Sequence, residues 1–414
     1  MKPDYKKIKI KIKASVIGAS GYSGLELLKI LNNHEYVDIG IATSNTYGGR
    51  PVSEAFPSFG ANNKKDKTSG LSFSLVSGLS EGSFSSSDVI FLCLPPLASM
   101  EFVNKYLTNF SGVIIDIGSD FRIKDEKDFE LWYGKPHTSK KLLKEFVYGL
   151  PEIYEEKIKA SRYIANPGCY PTSIILALAP LLSCKDLEIT NINIDSKSGV
   201  TGAGRKLKSD YMFCSVNENF FAYSPLMHRH TGEIEQELSN ISGKNLKVCF
   251  TPHLLPVNRG IFTSVYCRVE ICTGNNKTES LKISRETGSK MGAEISQGTN
   301  RGTNQKIKWE MIRKIKDDSY YKQLKETIFG LYESFYNKAP FVRFMGEKVP
   351  QLKDVSGTNF CQIGVALDER TDTLKIFSTI DNLLKGAAGQ AVQNMNIIFN
   401  LDQKEGLTGH GIFS

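Results

Sequence analysis

The chain has 414 residues, 40% of them hydrophobic and 23% charged, and a formal net charge of +8. Length and composition are those of a globular protein of two or three domains, which excludes a disordered or fibrous chain. The positive excess comes without an arginine-rich arm or aromatic–basic stripe, so no nucleic-acid partner is expected, and no window reaches the roughly 18 apolar residues of a membrane span.

In chain order, residues 1–13 alternate lysine and isoleucine and lack the apolar core and cleavage site of a signal peptide, so a cytoplasmic protein is expected. Residues 8–17 read as a strand, Gly18-Ala19-Ser20-Gly21-Tyr22-Ser23-Gly24 as a turn, 25–31 as a helix and 37–43 as a second strand. Strand, glycine-rich turn, helix and strand open a dinucleotide-binding fold, where the glycines let the backbone approach a pyrophosphate at a helix N-terminus. Gly18, Ser20, Gly21, Tyr22, Ser23 and Gly24 are therefore cofactor candidates. No carboxylate ends the second strand, while Ser44 and Arg50 follow it and suit a 2′-phosphate, which favours NADP(H) over NAD. A merely exposed Arg50 is the competing reading. Strands at 88–96 and 112–118 continue a parallel sheet and put Leu94, Pro95 and Arg122 near the cofactor crevice.

Asn166-Pro167-Gly168-Cys169-Tyr170-Pro171-Thr172 then breaks the pattern, followed by a run of helical character at 173–180. Cys169 is placed at the mouth of a helix, whose free N–H groups and dipole favour a thiolate nucleophile. A buried structural cysteine is the alternative. The other cysteines, 93, 184, 214, 249, 267, 272 and 361, are scattered without CxxC or zinc spacing; they read as reduced residues, and no metal site is expected.

Beyond Cys169, strands at 187–195, 246–250, 262–272, 360–367 and 373–380 indicate a mixed or antiparallel sheet. The fold class is α/β: a Rossmann-type NADP-binding domain over 1–168, completed by a C-terminal helix at about 382–414, and an α+β catalytic domain over 169–381. A polar stretch at about 274–308 reads as a flexible surface insertion, and 383–399 as the last long helix. The glycine-rich Ser198-Gly199-Val200-Thr201-Gly202-Ala203-Gly204-Arg205-Lys206 offers N–H groups and cations to an anion. His228-Arg229-His230 supplies imidazoles, one of which could hold the Cys169 thiolate as an ion pair and shuttle a proton. His253 is a third candidate, and Arg259 either binds a carboxylate or caps a turn. Cysteine, histidine and a dinucleotide fold together point to oxidoreduction through a thioester.

These blocks, with Gly118-Ser119-Asp120-Phe121-Arg122 and Asp381-Asn382-Leu383-Leu384-Lys385-Gly386, resemble the N-acetyl-gamma-glutamyl-phosphate reductase family of the aspartate-semialdehyde-dehydrogenase-like superfamily. Ser173 departs from it, standing where the family has glycine or alanine, and the 274–308 insertion is longer than the family's. The resemblance implies NADPH-dependent reduction of an acyl phosphate to a semialdehyde in arginine biosynthesis, with release of phosphate. It also implies Cys169 as nucleophile, His228 as acid–base partner, and Arg122, Asn166, Arg205 and His230 around the substrate. Ser198, Gly199 and Asn382 are implied on the nicotinamide side, and a homo-oligomer, dimer or tetramer, is implied as the assembly. The homologous aminoadipyl-phosphate reductase of lysine biosynthesis, and a non-catalytic NADP-binding redox sensor, are the alternative readings.

Overall fold

Branched and alternating residues build two seven-stranded sheets in the computed structural model, which describes residues 11–60, 66–272, 318–409 and 411. The predicted insertion at 274–308 lies outside the described residues.

The first sheet holds β1 (Ile12–Ile17), β2 (Val37–Thr43), β3 (Phe73–Ser74), β4 (Val89–Leu92), β5 (Val113–Asp116), β6 (Val147–Tyr148) and β7 (Tyr163–Ala165). Their order is β3-β2-β1-β4-β5-β7-β6, and every pair is parallel. Helices α1 (Tyr22–Asn33), α2 (Ala98–Tyr106) and α3 (Pro151–Ala160) lie in the crossovers. All four residues of β4 and of β5 are buried, as expected of strands covered on both faces. The chain switches direction between β1 and β4, which opens a crevice at the carboxyl ends of those strands.

The second sheet is mixed: β8 (Leu187–Gly199), β9 (Phe221–Ala222), β10 (Cys249–Leu255), β11 (Ile261–Ile271), β12 (Val342–Phe344), β13 (Cys361–Asp368) and β14 (Thr373–Ile380), in the order β12-β13-β14-β11-β8-β10-β9. One face packs on α4 (Cys169–Leu182), α5 (His230–Ser242) and α6 (Asp318–Tyr336) in a single apolar cluster. The other face, alternating out of β8, β11 and β14, carries Asp195, Lys197, Phe262, Tyr266, Lys375 and Phe377. Strand β10 starts later than the expected 246–250 and runs through Pro252, whose carbonyl accepts the Tyr223 N–H.

Helix α4 is buried on every side from Tyr170 to Leu182, so its stability comes from packing. Pro180 sits inside it and cannot donate to the Leu176 carbonyl four residues back. The Tyr336 hydroxyl, from α6, takes that carbonyl, and the Tyr332 hydroxyl bonds the Ala177 carbonyl. The chain then returns to the first sheet. A π-helical turn (Leu384–Ala388) leads into α7 (Gly389–Ile398), whose Ala391, Val392 and Met395 share a core with β1, β4 and α1.

The Pro180 gap makes the two tyrosines unequal. Tyr336→Phe should cost about 1–3 kcal/mol because the Leu176 carbonyl is left without a partner. Tyr332→Phe should cost less, since Ala177 keeps its helical partner. Thermal unfolding of the two variants checks the order, and an equal or reversed effect would overturn it.

Candidate active site

Strand β7 stops at Ala165, and Pro167 and Gly168 turn the chain into α4 with Gly168 as its N-cap. Cys169 is the first residue of that helix, where the leading N–H groups have no carbonyl partner. Gly168 has no room for a side chain: a Cβ there would stand 2.7 Å from His230 Nε2, 2.8 Å from Arg122 Nη1 and 3.0 Å from Glu233 Oε2. Those three groups converge behind the nucleophile.

Glu233, fully buried in the first turn of α5, organises them. Its Oε1 accepts the Gly168 N–H at 2.8 Å and the Tyr148 hydroxyl at 2.7 Å, and its Oε2 faces Arg122 Nη1 at 3.4 Å. Arg122 also donates from Nε to the Asn166 carbonyl at 2.7 Å and from Nη2 to the Ile117 carbonyl at 3.0 Å. The sequence reading offered Arg122 to the substrate. Its guanidinium is instead spent on the scaffold under the turn. Asn166 moves likewise: it is buried, its amide donates to the Ala387 carbonyl and its oxygen accepts from Asn394.

A cleft of about 430 Å³ opens over Cys169. His228, Arg229 and His230 line it from one side, Tyr170 and Tyr223 from another, and Ser198 and Lys208 from the 198–208 loop. His228 sits edge-on to Tyr170, Tyr223 and Phe250, and its Nδ1 accepts the His230 N–H at 3.3 Å. The sequence reading put the acid–base role on His228, but it is His230 whose Nε2 lies against the Cys169 turn. Arg229 is exposed and pairs with no carboxylate among the described residues.

Burial pushes the Cys169 thiol above its ordinary value, against the opposing pull of Arg122 and the Tyr170 N–H. Burial also pulls His228 down to about 4, helped by Arg229, and drives His230 well below 6.5. Desolvation disfavours both charges and so favours a thiol and neutral imidazoles over the expected ion pair.

On the cofactor side, Gly18 has φ +81°, and a Cβ on it would stand 2.4 Å from the Cys93 carbonyl oxygen, with Leu94 beside it. A Cβ on Gly24 would meet the Gly18 carbonyl at 2.6 Å, and Gly21 caps α1, whose first turn holds Tyr22 and Ser23. Only glycine fits this cradle, and the helix N-terminus above it suits a pyrophosphate. Ser20 and Ser44 share a hydrogen bond of 2.8 Å at the end of β2. Arg50 stays exposed without an ion pair among the described residues, and Pro95 is exposed just beyond β4. Arg205, expected at the substrate, reaches the glycine turn, donating to the Ser20 carbonyl at 2.7 Å and lying over the rings of Tyr22 and Phe56. The Ser198 hydroxyl bonds the Gly199 carbonyl, and Gly199 packs on the Asn258–Arg259 backbone. Asn382 accepts the Gly260 N–H and donates to Thr201, so it braces the 198–204 loop. Arg259 clamps Asp381 and Glu26, and His253 pairs with Asp195 on the open sheet face.

Sequence reasoning passed over Glu233 and Arg229 as site residues. Their signal was present: a carboxylate three residues after His230, and a cation between two histidines. No cluster able to hold a metal occurs among the described residues, and no helix there is long and apolar enough to cross a membrane.

Two domain families match the chain: the semialdehyde dehydrogenase NAD-binding domain over residues 13–161, and the semialdehyde dehydrogenase dimerisation domain over 169–287 and 299–382. An N-acetyl-gamma-glutamyl-phosphate reductase of Pelotomaculum thermopropionicum is 40% identical over 404 residues, 97% of this chain and 99% of the relative. Proteins of the same name from Geobacter sulfurreducens and Brachyspira hyodysenteriae are 39% and 40% identical over 96% of this chain and 98% of each relative. Among solved structures, aspartate semialdehyde dehydrogenase II from Vibrio cholerae shares the fold with TM-score 0.61 at 16% identity, covering 94% of this chain and 99% of that one. Aspartate semialdehyde dehydrogenase with NADP from Candida albicans gives 0.56 at 14% identity, covering 94% of this chain and 98% of that one.

The protonation states carry a test. Thiolate appears only as pH rises through a raised pKa, so iodoacetamide should alkylate Cys169 at a rate that climbs beyond the ordinary thiol range. A plateau already reached at pH 7 would show a resting ion pair and overturn this assignment.

Proposed function

Because the chain belongs to the N-acetyl-gamma-glutamyl-phosphate reductase family, we propose that it reduces N-acetyl-L-glutamyl 5-phosphate to N-acetyl-L-glutamate 5-semialdehyde and phosphate, a step of arginine biosynthesis. The observation that carries this reading is Cys169 at the start of a helix, with His230 against its turn and the unpaired Arg229 over the same cleft.

The chemistry follows from these positions. His230 Nε2 accepts the Cys169 proton as the sulfur attacks the acyl carbon. The Tyr170 N–H, directed at the sulfur, steadies the developing thiolate, and the free Cys169 N–H of the α4 terminus steadies the developing oxyanion. The acyl–oxygen bond breaks, and phosphate departs with the His230 proton towards Arg229 and Lys208. A nicotinamide cofactor supplies a hydride to the resulting thioester carbon when bound. The thiohemiacetal then collapses: the carbonyl re-forms, the carbon–sulfur bond breaks, and one solvent proton restores the thiol through His230. Acyl phosphate, reduced cofactor and one proton become aldehyde, oxidised cofactor and phosphate.

The glycine cradle, Ser20, Ser44 and Asn382 are the residues that would hold and border the dinucleotide. The absence of a carboxylate after β2, with Ser44 and Arg50 in its place, supports NADP(H) as the form used. The open sheet face with Phe262, Tyr266 and Phe377 supports assembly into a homo-oligomer. Eight free cysteines support a cytoplasmic setting.

NADP reduction by N-acetylglutamate semialdehyde should require phosphate and exceed turnover of the aminoadipate homologue. Turnover indifferent to phosphate would overturn the reading, and preference for the longer substrate would move the enzyme to lysine biosynthesis. Cys169→Ser should abolish turnover and leave NADPH binding intact. Arg229→Ala should raise KM for the acyl phosphate roughly tenfold or more, as expected for loss of a charged contact worth about 1.5–3 kcal/mol.

A further inference from the structure

The segment that presses on Cys169 from the far end of the chain is helical with the wrong period. Over Leu384–Ala388 the hydrogen bonds run five residues back: Gly386 N–H to the Asp381 carbonyl at 3.0 Å and Ala388 N–H to the Leu383 carbonyl at 2.8 Å. Such π turns are rare and gather at functional sites, because an α-helix has the better geometry. The turn meets the nucleophile directly. A Cβ on Gly386 would stand 2.9 Å from the Cys169 Cβ and 3.2 Å from its Cα. One residue on, the Ala387 carbonyl accepts the Asn166 amide at 3.1 Å. The π turn therefore holds the nucleophile segment at Asn166 and at Cys169.

Lys385, one residue before Gly386 in the same turn, is fully buried. Its Nζ reaches Glu152 Oε1, on α3, at 2.7 Å and Gln393 Oε1 at 2.8 Å, and the Glu152 side chain is 1% exposed. A buried ion pair is a poor source of stability. Desolvation offsets the attraction, so replacing both partners with apolar side chains is commonly neutral or stabilising, whereas removing one strands a charge. What such a pair supplies is a fixed direction. It ties the turn to α3.

We propose that the Lys385–Glu152 pair is a positioning device: it holds the π turn in the register that sets Gly386 against Cys169. Lys385 touches no reacting atom, so it is a positioning residue. The inference rests on Cys169 being the nucleophile, as argued above.

The test is the full-chain double variant Lys385→Met/Glu152→Met, followed by thermal unfolding, NADPH titration, steady-state kinetics and the pH profile of Cys169 alkylation by iodoacetamide without substrate. Stability and chemistry should separate. The unfolding midpoint should stay at or above wild type and NADPH affinity should hold. The turnover number should fall roughly tenfold or more with KM little changed, since small misplacements of a reacting group cost up to about a hundredfold. The alkylation profile should shift. A folded double variant with wild-type kcat and a wild-type profile overturns the proposal. If the double variant does not fold, Gly386→Ala decides: it keeps the ion pair and moves the turn off Cys169, so it should reproduce both defects, and wild-type behaviour overturns the proposal. The alkylation profile needs no substrate, so it judges the pair even if the proposed reaction fails its own test.

Discussion

One buried carboxylate sets the geometry of this site. Glu233 comes from α5, yet the groups it binds belong to the other sequence half: the Gly168 N–H, the Tyr148 hydroxyl and the Arg122 guanidinium. A carboxylate so deep is tolerable only when its oxygens are paired. The pairing that satisfies Glu233 also fixes where α4 begins, and with it where Cys169 points. His230 lies one helical turn before Glu233 on the same helix, so the imidazole's place against Gly168 follows from the same anchor.

This arrangement divides the positive charges by burial. Arg122 is enclosed and committed to two carbonyls and Glu233, which leaves it a beam of the scaffold. Arg229 is exposed on the cleft and free to meet an anion. Sequence alone does not separate the two, because an arginine in a loop reads the same whether its partners are main-chain carbonyls or a substrate. Burial decides, and burial depends on elements more than a hundred residues away.

The fold was legible where periodicity is local. The glycine turn, the wholly buried β4 and β5 of the first sheet and the alternating strands of the second are each written within about ten residues. The break before Cys169 was equally plain, since Pro167 followed directly by Gly168 disfavours continuation of a regular element. The π turn was not legible: Gly386-Ala387-Ala388-Gly389 reads as an ordinary close-packed helix, and only the contact with Cys169 shows why the extra residue is there. Which of His228 and His230 lies against the Cys169 turn was hidden for a similar reason. Both sit in one short motif, and the distinction lies in which ring packs on a glycine sixty residues earlier.

The resting protonation states follow from the same enclosure. Every group that fixes Cys169, from Gly386 to Glu233, also removes water from it, and burial outweighs the helix terminus and Arg122 in setting the thiol. The nucleophile is thereby kept as a thiol until something makes the thiolate worth forming. An acyl phosphate does so in two ways, by offering a carbon to attack and by bringing negative charge to Arg229, whose cation otherwise helps depress both histidines. Neutralising that cation would relieve part of the depression of His230, the base proposed above to take the sulfur's proton. On that proposal the substrate's own phosphate would help switch on the base, and a thiol that stays protonated in its absence would be shielded from idle alkylation and oxidation.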